Sequence, residues 1–201
     1  MELSPITDGM TTQTEGGAEA GAATGDPGAG APPQGLQLDR TQVGAAISKL
    51  ISASIGDLVV VMSKSPAHKH YSLADIEWMV LPPVLAGQFY VAEATVSESG
   101  FRAPVAAVTW ARVSVEVDAR LRENAGKQIR LRPDEWSSGE IYWCIDLVGD
   151  IRGLNIALGW LLAGPFKDVA CFTAMREADG SATIAELKTL ASQAANERPP
   201  P

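Results

Sequence analysis

Ile141-Tyr142-Trp143-Cys144-Ile145-Asp146-Leu147-Val148 is the stretch on which the reading of this chain turns. It is apolar apart from Asp146. The turn-forming Trp136-Ser137-Ser138-Gly139 precedes it, and Gly149-Asp150 follows it. A short apolar run between turn signals reads as a central strand. Strand alternation predicts Tyr142, Cys144 and Asp146 on one face and Trp143 and Ile145 on the other. A carboxylate within such a strand is costly unless it is paired or hydrogen-bonded. The strand therefore predicts a partner for Asp146.

The flanking sequence supplies the rest of a mixed sheet. Gln88 to Thr95 and Pro104 to Val113 read as two strands joined by the turn Ser97-Glu98-Ser99-Gly100, a hairpin. Val169 to Met175 and Thr183 to Leu187 read as two more, around the turn Ala178-Asp179-Gly180-Ser181. Between the strands lie helical patterns. Val43, Ala46, Ile47, Leu50, Ile51 and Ile55 form one apolar face, with Asp39 or Thr41 as cap and Gly56 as a candidate end. Leu58 to Met62 is ambiguous between strand and continued helix. Ser72-Leu73-Ala74-Asp75 resembles a capping box opening a helix that Pro82-Pro83 should stop. Ser114 opens a helix ending at Asn124 to Gly126, and Leu154 to Leu162 is an apolar helix. Residues 188–197 favour helix weakly. The fold class is α/β (α+β): one domain over 39–197, with a mixed central sheet flanked by helices.

Composition narrows the function. The 201 residues carry a net charge of -8, unevenly placed. Residues 1–39 hold six acids and no Lys or Arg, which leaves 16 basic against 18 acidic residues for the remainder. No basic stripe marks a nucleic-acid binder. Residues 1–38, rich in Gly, Ala and Pro, have too little apolar surface to offset the entropy of ordering, and read as a disordered acidic extension. Residues 198–201 read as a loose end. Cys144 and Cys171 lie in apolar runs and read as reduced, buried thiols of a cytosolic protein. No signal peptide and no apolar run long enough for a membrane span are visible in the sequence.

The candidate site residues are few. Both histidines fall in Ser65-Pro66-Ala67-His68-Lys69-His70-Tyr71. A His–Asp146 contact would orient an imidazole and stabilise imidazolium, the arrangement a general base needs. A plainer role for Asp146 is to end its strand and cap the next turn with Gly149. His68 and His70 are also candidate metal ligands, but His-x-His needs a third ligand and no other ligand spacing accompanies it, so no metal is expected. Cys144 is a candidate nucleophile against the commoner buried structural thiol. Ser65 is a candidate acyl carrier or oxyanion donor against a turn residue before proline. Trp78 and Trp160 are candidates for an acyl-chain groove.

From about Ile55 to Leu187 the chain resembles the RTX toxin-activating lysine acyltransferases, the haemolysin-activating family. The resemblance rests on Ser65-Pro66-x-His68 and on an apolar helix reaching Val80-Leu81-Pro82. Gln88-Phe89-Tyr90, Pro104-Val105-Ala106 and Thr109-Trp110-Ala111 follow, then Trp136-Ser137-Ser138-Gly139-Glu140 and Trp143-x-Ile145-Asp146. The family's catalytic His falls on His68 and its catalytic Asp on Asp146, which leaves His70 without a role. Tyr71 stands where Trp is expected, Cys144 where an aromatic is common, and the acidic extension lies outside the family pattern. The resemblance implies a GNAT-like fold and dimers among the oligomeric states. It implies transfer of a fatty acyl group from acyl carrier protein, as co-substrate, to internal lysines of an RTX-type protoxin in the cytoplasm, with no permanently bound cofactor. Acyl carrier protein is acidic, and Lys64, Lys69 and Arg112 are the candidate docking cations. Two other readings are an acyl-CoA-dependent GNAT-like enzyme acting on a small amine, and a non-catalytic cytosolic partner of a secreted protein. The first would need a phosphate-cradling loop, for which Gly149-Asp150-Ile151-Arg152-Gly153 is the sole candidate.

Overall fold

A computed structural model of the chain describes residues 39–95, 100–127, 130–176 and 181–196. The acidic extension, the C-terminal end, Ser97 to Ser99 and Ala178 to Gly180 lie outside the described residues. The elements run α1 (Arg40–Ser63), α2 (Ile76–Met79), α3 (Leu81–Leu85), β1 (Phe89–Thr95), β2 (Arg102–Val113), α4 (Val115–Glu123), β3 (Ile141–Gly149), α5 (Ile151–Ala163), β4 (Cys171–Arg176), β5 (Ala182–Glu186) and α6 (Leu187–Asn196). The strands form one sheet in the order β1-β2-β3-β4-β5. All neighbours are antiparallel except β3 and β4, which are parallel and linked through α5. This is a mixed α/β fold, consistent with the GNAT-like expectation.

Two helical layers enclose the sheet. On one face α5 and the start of α6 pack Ala157, Leu161 and Leu187 against Val108, Trp110, Cys144 and Cys171. On the other, Leu58, Val61 and Met62 of α1 and Val84 of α3 cover Ala107 and Val148. Val117 and Leu121 of α4 cover Ala111, Val113 and Trp143 on that same face. Ser114 caps α4 by accepting from the Val117 N–H, and Asp150 caps α5 by accepting from the Gly153 N–H.

Two sequence expectations are corrected in the first helical layer. Gly56 does not end α1, and Leu58 to Met62 is helix. A helical glycine costs about 1 kcal/mol. Burying Leu58, Val61 and Met62 on the sheet returns roughly 1.5–3 kcal/mol each, so the helix continues through it. Nor do Pro82 and Pro83 stop a helix running from Ser72. They occupy the first turn of α3, where a missing N–H costs nothing. The segment before them is a 3₁₀ turn, Leu73–Asp75, followed by the short α2. The Ser72–Asp75 capping box is present, with the Ser72 N–H donating to Asp75 Oδ2 at 2.7 Å.

One helix is longer and more apolar than the sequence reading expected. α1 spans 24 residues and, by length and composition alone, is long and apolar enough to cross a membrane. Its C-terminal half is instead packed on the sheet, while residues 40–50 are exposed throughout.

Candidate active site

Strand β3 carries the acid, but not on the face that plain alternation assigns. From Val113↔Ile141 to Trp110↔Cys144 the β2–β3 register is regular. It then steps to Thr109↔Asp146, leaving Ile145 as an extra residue. Such a bulge turns everything beyond it over. Cys144 and Leu147 pack with α5, whereas Val148 packs with α1. Asp146 therefore lies opposite Cys144, on the α1 face. The expectation that Tyr142, Cys144 and Asp146 share a face is corrected by this single inserted residue.

The histidine arrives from the end of α1. The last turn of α1 closes with the Ser65 N–H donating to the Met62 carbonyl at 2.9 Å. Pro66–His68 then form a 3₁₀ turn in which the His68 N–H bonds the Ser65 carbonyl at 3.1 Å. This turn sets His68 Nε2 2.7 Å from Asp146 Oδ2, and His68 Nδ1 2.9 Å from Ser65 Oγ. The carboxylate accepts from Nε2–H, so in the neutral imidazole Nδ1 is the acceptor and the Ser65 hydroxyl donates to it. The His68 side chain is 9% exposed and that of Asp146 23% exposed. Ser65, on the other ring nitrogen, is half-buried.

An outer set of contacts braces the turn. The Tyr71 ring lies 5.4 Å from His68 and 6.0 Å from Trp78. Trp78 Nε1 donates to Asp75 Oδ1 at 2.9 Å, and Arg130 stacks over Trp78 while bonding the same oxygen at 3.1 Å. These donors, Trp78 first and then Ser72, hold the Asp75 carboxyl below its ordinary range. Sequence reasoning did not find this brace. Its only visible signal was the Ser72–Asp75 capping box.

The other candidates are dispersed. His70 is exposed and takes no part in the His–Asp contact. Lys64 and Lys69 are exposed at either end of the Ser65–His68 turn. Arg112 alternates onto the α5 face and sits 3.8 Å from Glu140, away from the pair. Trp160 stacks on Tyr90, also on the α5 face. Cys144 is buried, and burial pushes its thiol well above the ordinary value; Cys171 is likewise pushed up to about 12. Thiols so held are protonated and inert. Among the described residues no group of His, Cys, Asp and Glu is placed to hold a metal ion.

The glycines after β3 serve packing. A side chain at Gly149, whose φ is +125°, would collide with the Val105 carbonyl, and a Cβ at Gly153 would fall 2.7 Å from Ala106 Cβ. The Asp150 carboxylate already occupies the α5 N-terminus, 2.8 Å from the Gly153 N–H. A phosphate there would meet a like charge, so this loop is not the cradle that a CoA pyrophosphate needs.

A cleft lies between α4, β3 and β4. β3 and β4 are paired only at Tyr142↔Cys171 and Trp143↔Phe172. Beyond that point Ile145 and Thr173 line a cleft with Leu121, Leu131, Trp143 and Ala174. Ile145 is the residue before Asp146 in β3, and the lining of the cleft includes neither His68 nor Asp146.

Comparison with known proteins identifies the family. The model of the RTX toxin acyltransferase family (HlyC) matches residues 49–190. The leukotoxin-activating lysine-acyltransferase LtxC of Aggregatibacter actinomycetemcomitans is 28% identical over 94 residues, 47% of this chain and 51% of that relative. The matched stretch thus spans about half the length of that curated relative. The family match runs from the middle of α1 into α6 and takes in Ser65, His68 and Asp146. By that extent, the chain belongs to the RTX toxin acyltransferase family.

Proposed function

We propose that this protein is a lysine acyltransferase that moves a fatty acyl group from the thioester of acyl carrier protein to internal lysines of an RTX-type protoxin in the cytoplasm. The observation that carries the reading is the His68–Asp146 contact at 2.7 Å with Ser65 on the second ring nitrogen. No permanently bound cofactor is required, because the donor brings its own activated carbonyl.

The chemistry follows from proton balance. A lysine ammonium, with an ordinary pKa of about 10.4, must first lose a proton to become a nucleophile. The neutral amine attacks the thioester carbonyl, forming the C–N bond. His68 takes the remaining excess proton from that nitrogen. The Ser65 hydroxyl, 2.9 Å from Nδ1, relays it to the ring. The tetrahedral intermediate collapses, the C–S bond breaks, and the proton returns to the departing sulfur. Asp146 keeps Nε2 protonated and balances the imidazolium. Such general-base catalysis supplies roughly 10²–10⁴-fold, and positioning of the amine and thioester supplies the remainder.

The cleft at Ile145, lined by Leu121, Leu131 and Trp143 together with Asn124, Lys127 and Thr173, is the surface offered to the acyl chain. Lys64 and Lys69 flank the reactive turn and suit an acidic carrier protein. A homodimer, one of the states the family resemblance implies, would use the overhanging half of α1. The test is transfer of labelled acyl groups from acyl carrier protein to a repeat-toxin substrate. His68→Ala, folded by circular dichroism, should transfer at background rate, and wild-type activity in that variant would remove the reading.

A further inference from the structure

Thr109 is the cross-strand partner of Asp146, and it is 1% exposed. Its hydroxyl has no hydrogen-bond partner. An orphaned buried hydroxyl is costly, about 1–3 kcal/mol. Thr109 lies on the α1 face, since its β1 partner is Phe89 and its same-face neighbours on β2 are Ala107 and Ala111. Asp146 is the one acceptor side chain among these four sheet neighbours. Opposed side chains on one face stand about 4.5–5.5 Å apart at Cβ. A χ1 rotation, moving only Oγ1 and Cγ2, then carries the hydroxyl to the carboxylate. Asp146 spends Oδ2 on His68, which leaves Oδ1 to receive it.

We propose that Thr109 is a positioning residue that donates its hydroxyl proton to Asp146 Oδ1 and so fixes the carboxylate against His68. The bulge gives this pairing its purpose. Without the extra Ile145, Asp146 would face α5 and Thr109 would oppose a different side chain. A donor on Oδ1 also lowers the basicity of the carboxylate. The proton taken up by the imidazole then stays on His68 rather than passing to Asp146. The catalytic part of this inference rests on the acyl-transfer reading. The contact itself does not.

The experiment uses the full chain with Thr109→Val, which keeps the shape and removes the donor, and Thr109→Ser, which keeps the donor. In the acyl-transfer assay, Thr109→Val is expected to lose about tenfold or more in kcat with KM for the acyl donor unchanged. Thr109→Ser should recover most of it. Proton NMR of the His68 Nε2–H resonance is read in parallel, identified by its absence in His68→Ala. It should move downfield in Thr109→Val, because a carboxylate with one donor fewer is a stronger acceptor, and hold its position in Thr109→Ser. A wild-type protein that transfers nothing would remove the acyl-transfer reading and leave the NMR comparison to judge the contact. An unshifted resonance, with unchanged or raised thermal stability in Thr109→Val, would overturn the inference. That is the result expected for replacing an idle buried hydroxyl with a methyl.

Discussion

His68 Nε2 lies 2.7 Å from Asp146 Oδ2 across 78 residues of chain, one group on the turn after α1 and the other at a bulge in the central strand. Neither group makes this contact by local sequence geometry. The α1 layer must dock on the sheet for the turn to arrive, and the bulge must turn the acid toward it. The pair is therefore a product of tertiary packing, and it reports directly on whether that packing is intact. Asp146→Asn keeps an oxygen that can accept from Nε2–H but removes the charge that balances imidazolium. Acyl transfer should fall by about 10²–10⁴-fold with little change in stability. Single-turnover transfer and urea denaturation of the same sample check both halves of this expectation.

Cys144 stands two residues from Asp146 yet belongs to the opposite face, buried among Trp110, Leu161 and Phe166. Cys144→Ala should retain transfer within a fewfold and lose about 1 kcal/mol of stability for the missing sulfur. In the native protein neither thiol should react with iodoacetamide near neutral pH. Both should react once the chain is unfolded. Inactivation of Cys144→Ala in a folded protein would instead point to a thioester intermediate.

Glu135 is a buried carboxylate held by Arg120. Its side chain is 3% exposed, and Arg120 donates two bonds to it, at 2.8 and 2.6 Å. Those bonds hold the carboxyl below its ordinary value of 4.5. A carboxylate depressed in the folded state contributes its full stability above the unfolded value and loses it as pH falls through the lower folded value. Glu135→Gln should therefore destabilise the protein by about 1–3 kcal/mol at neutral pH. The gap to wild type should narrow at acid pH, as the pH falls below 4.5 and then through the lower folded value. Urea unfolding at the two pH values measures the difference.

Ile145 is the residue the bulge inserts, one position before Asp146, and it lines the cleft. Ile145→Trp should fill the cleft and slow transfer of long acyl chains by about tenfold, the order of a few lost methylene contacts, while sparing short ones. Competition between donors of two chain lengths gives the ratio directly. An unchanged ratio would place the chain elsewhere.

The sheet was legible because its strands carry period-two or continuous apolar patterns between turn residues. All five appear near their expected positions. The approach of His68 to Asp146 was legible through the resemblance, not through alternation, which put Asp146 on the wrong face. One inserted residue reverses a strand's faces, and nothing in Cys144-Ile145-Asp146 announces it. Gly56 and Pro82-Pro83 misled for a related reason. Local propensities worth about 1–3 kcal/mol are overridden when burial favours a continued helix, and when proline falls in a first turn. The Tyr71–Trp78–Asp75–Arg130 brace was illegible because Arg130 and Asp75 meet only in space.

The overhang of α1 yields the last prediction. Val43, Ile47 and Leu50 are 39%, 52% and 67% exposed. They continue, at helical spacing, the stripe that Leu58, Val61 and Met62 bury on the sheet. A half-helix exposed in this way gains nothing from packing within the domain, and isolated helices of its length are marginal in water. A second copy offers the same stripe, so two overhangs crossing about a two-fold axis would each cover the other, as isologous contacts do. The preceding acidic extension is a poor competitor, because it carries few apolar side chains to lay on the stripe. Ile47→Asp with Leu50→Asp should shift the protein from dimer to monomer in sedimentation equilibrium. The His68–Asp146 pair lies at the other end of α1, so the monomer should keep transfer within a fewfold. A wild-type protein that is monomeric at micromolar concentration would sink this reading without touching the site.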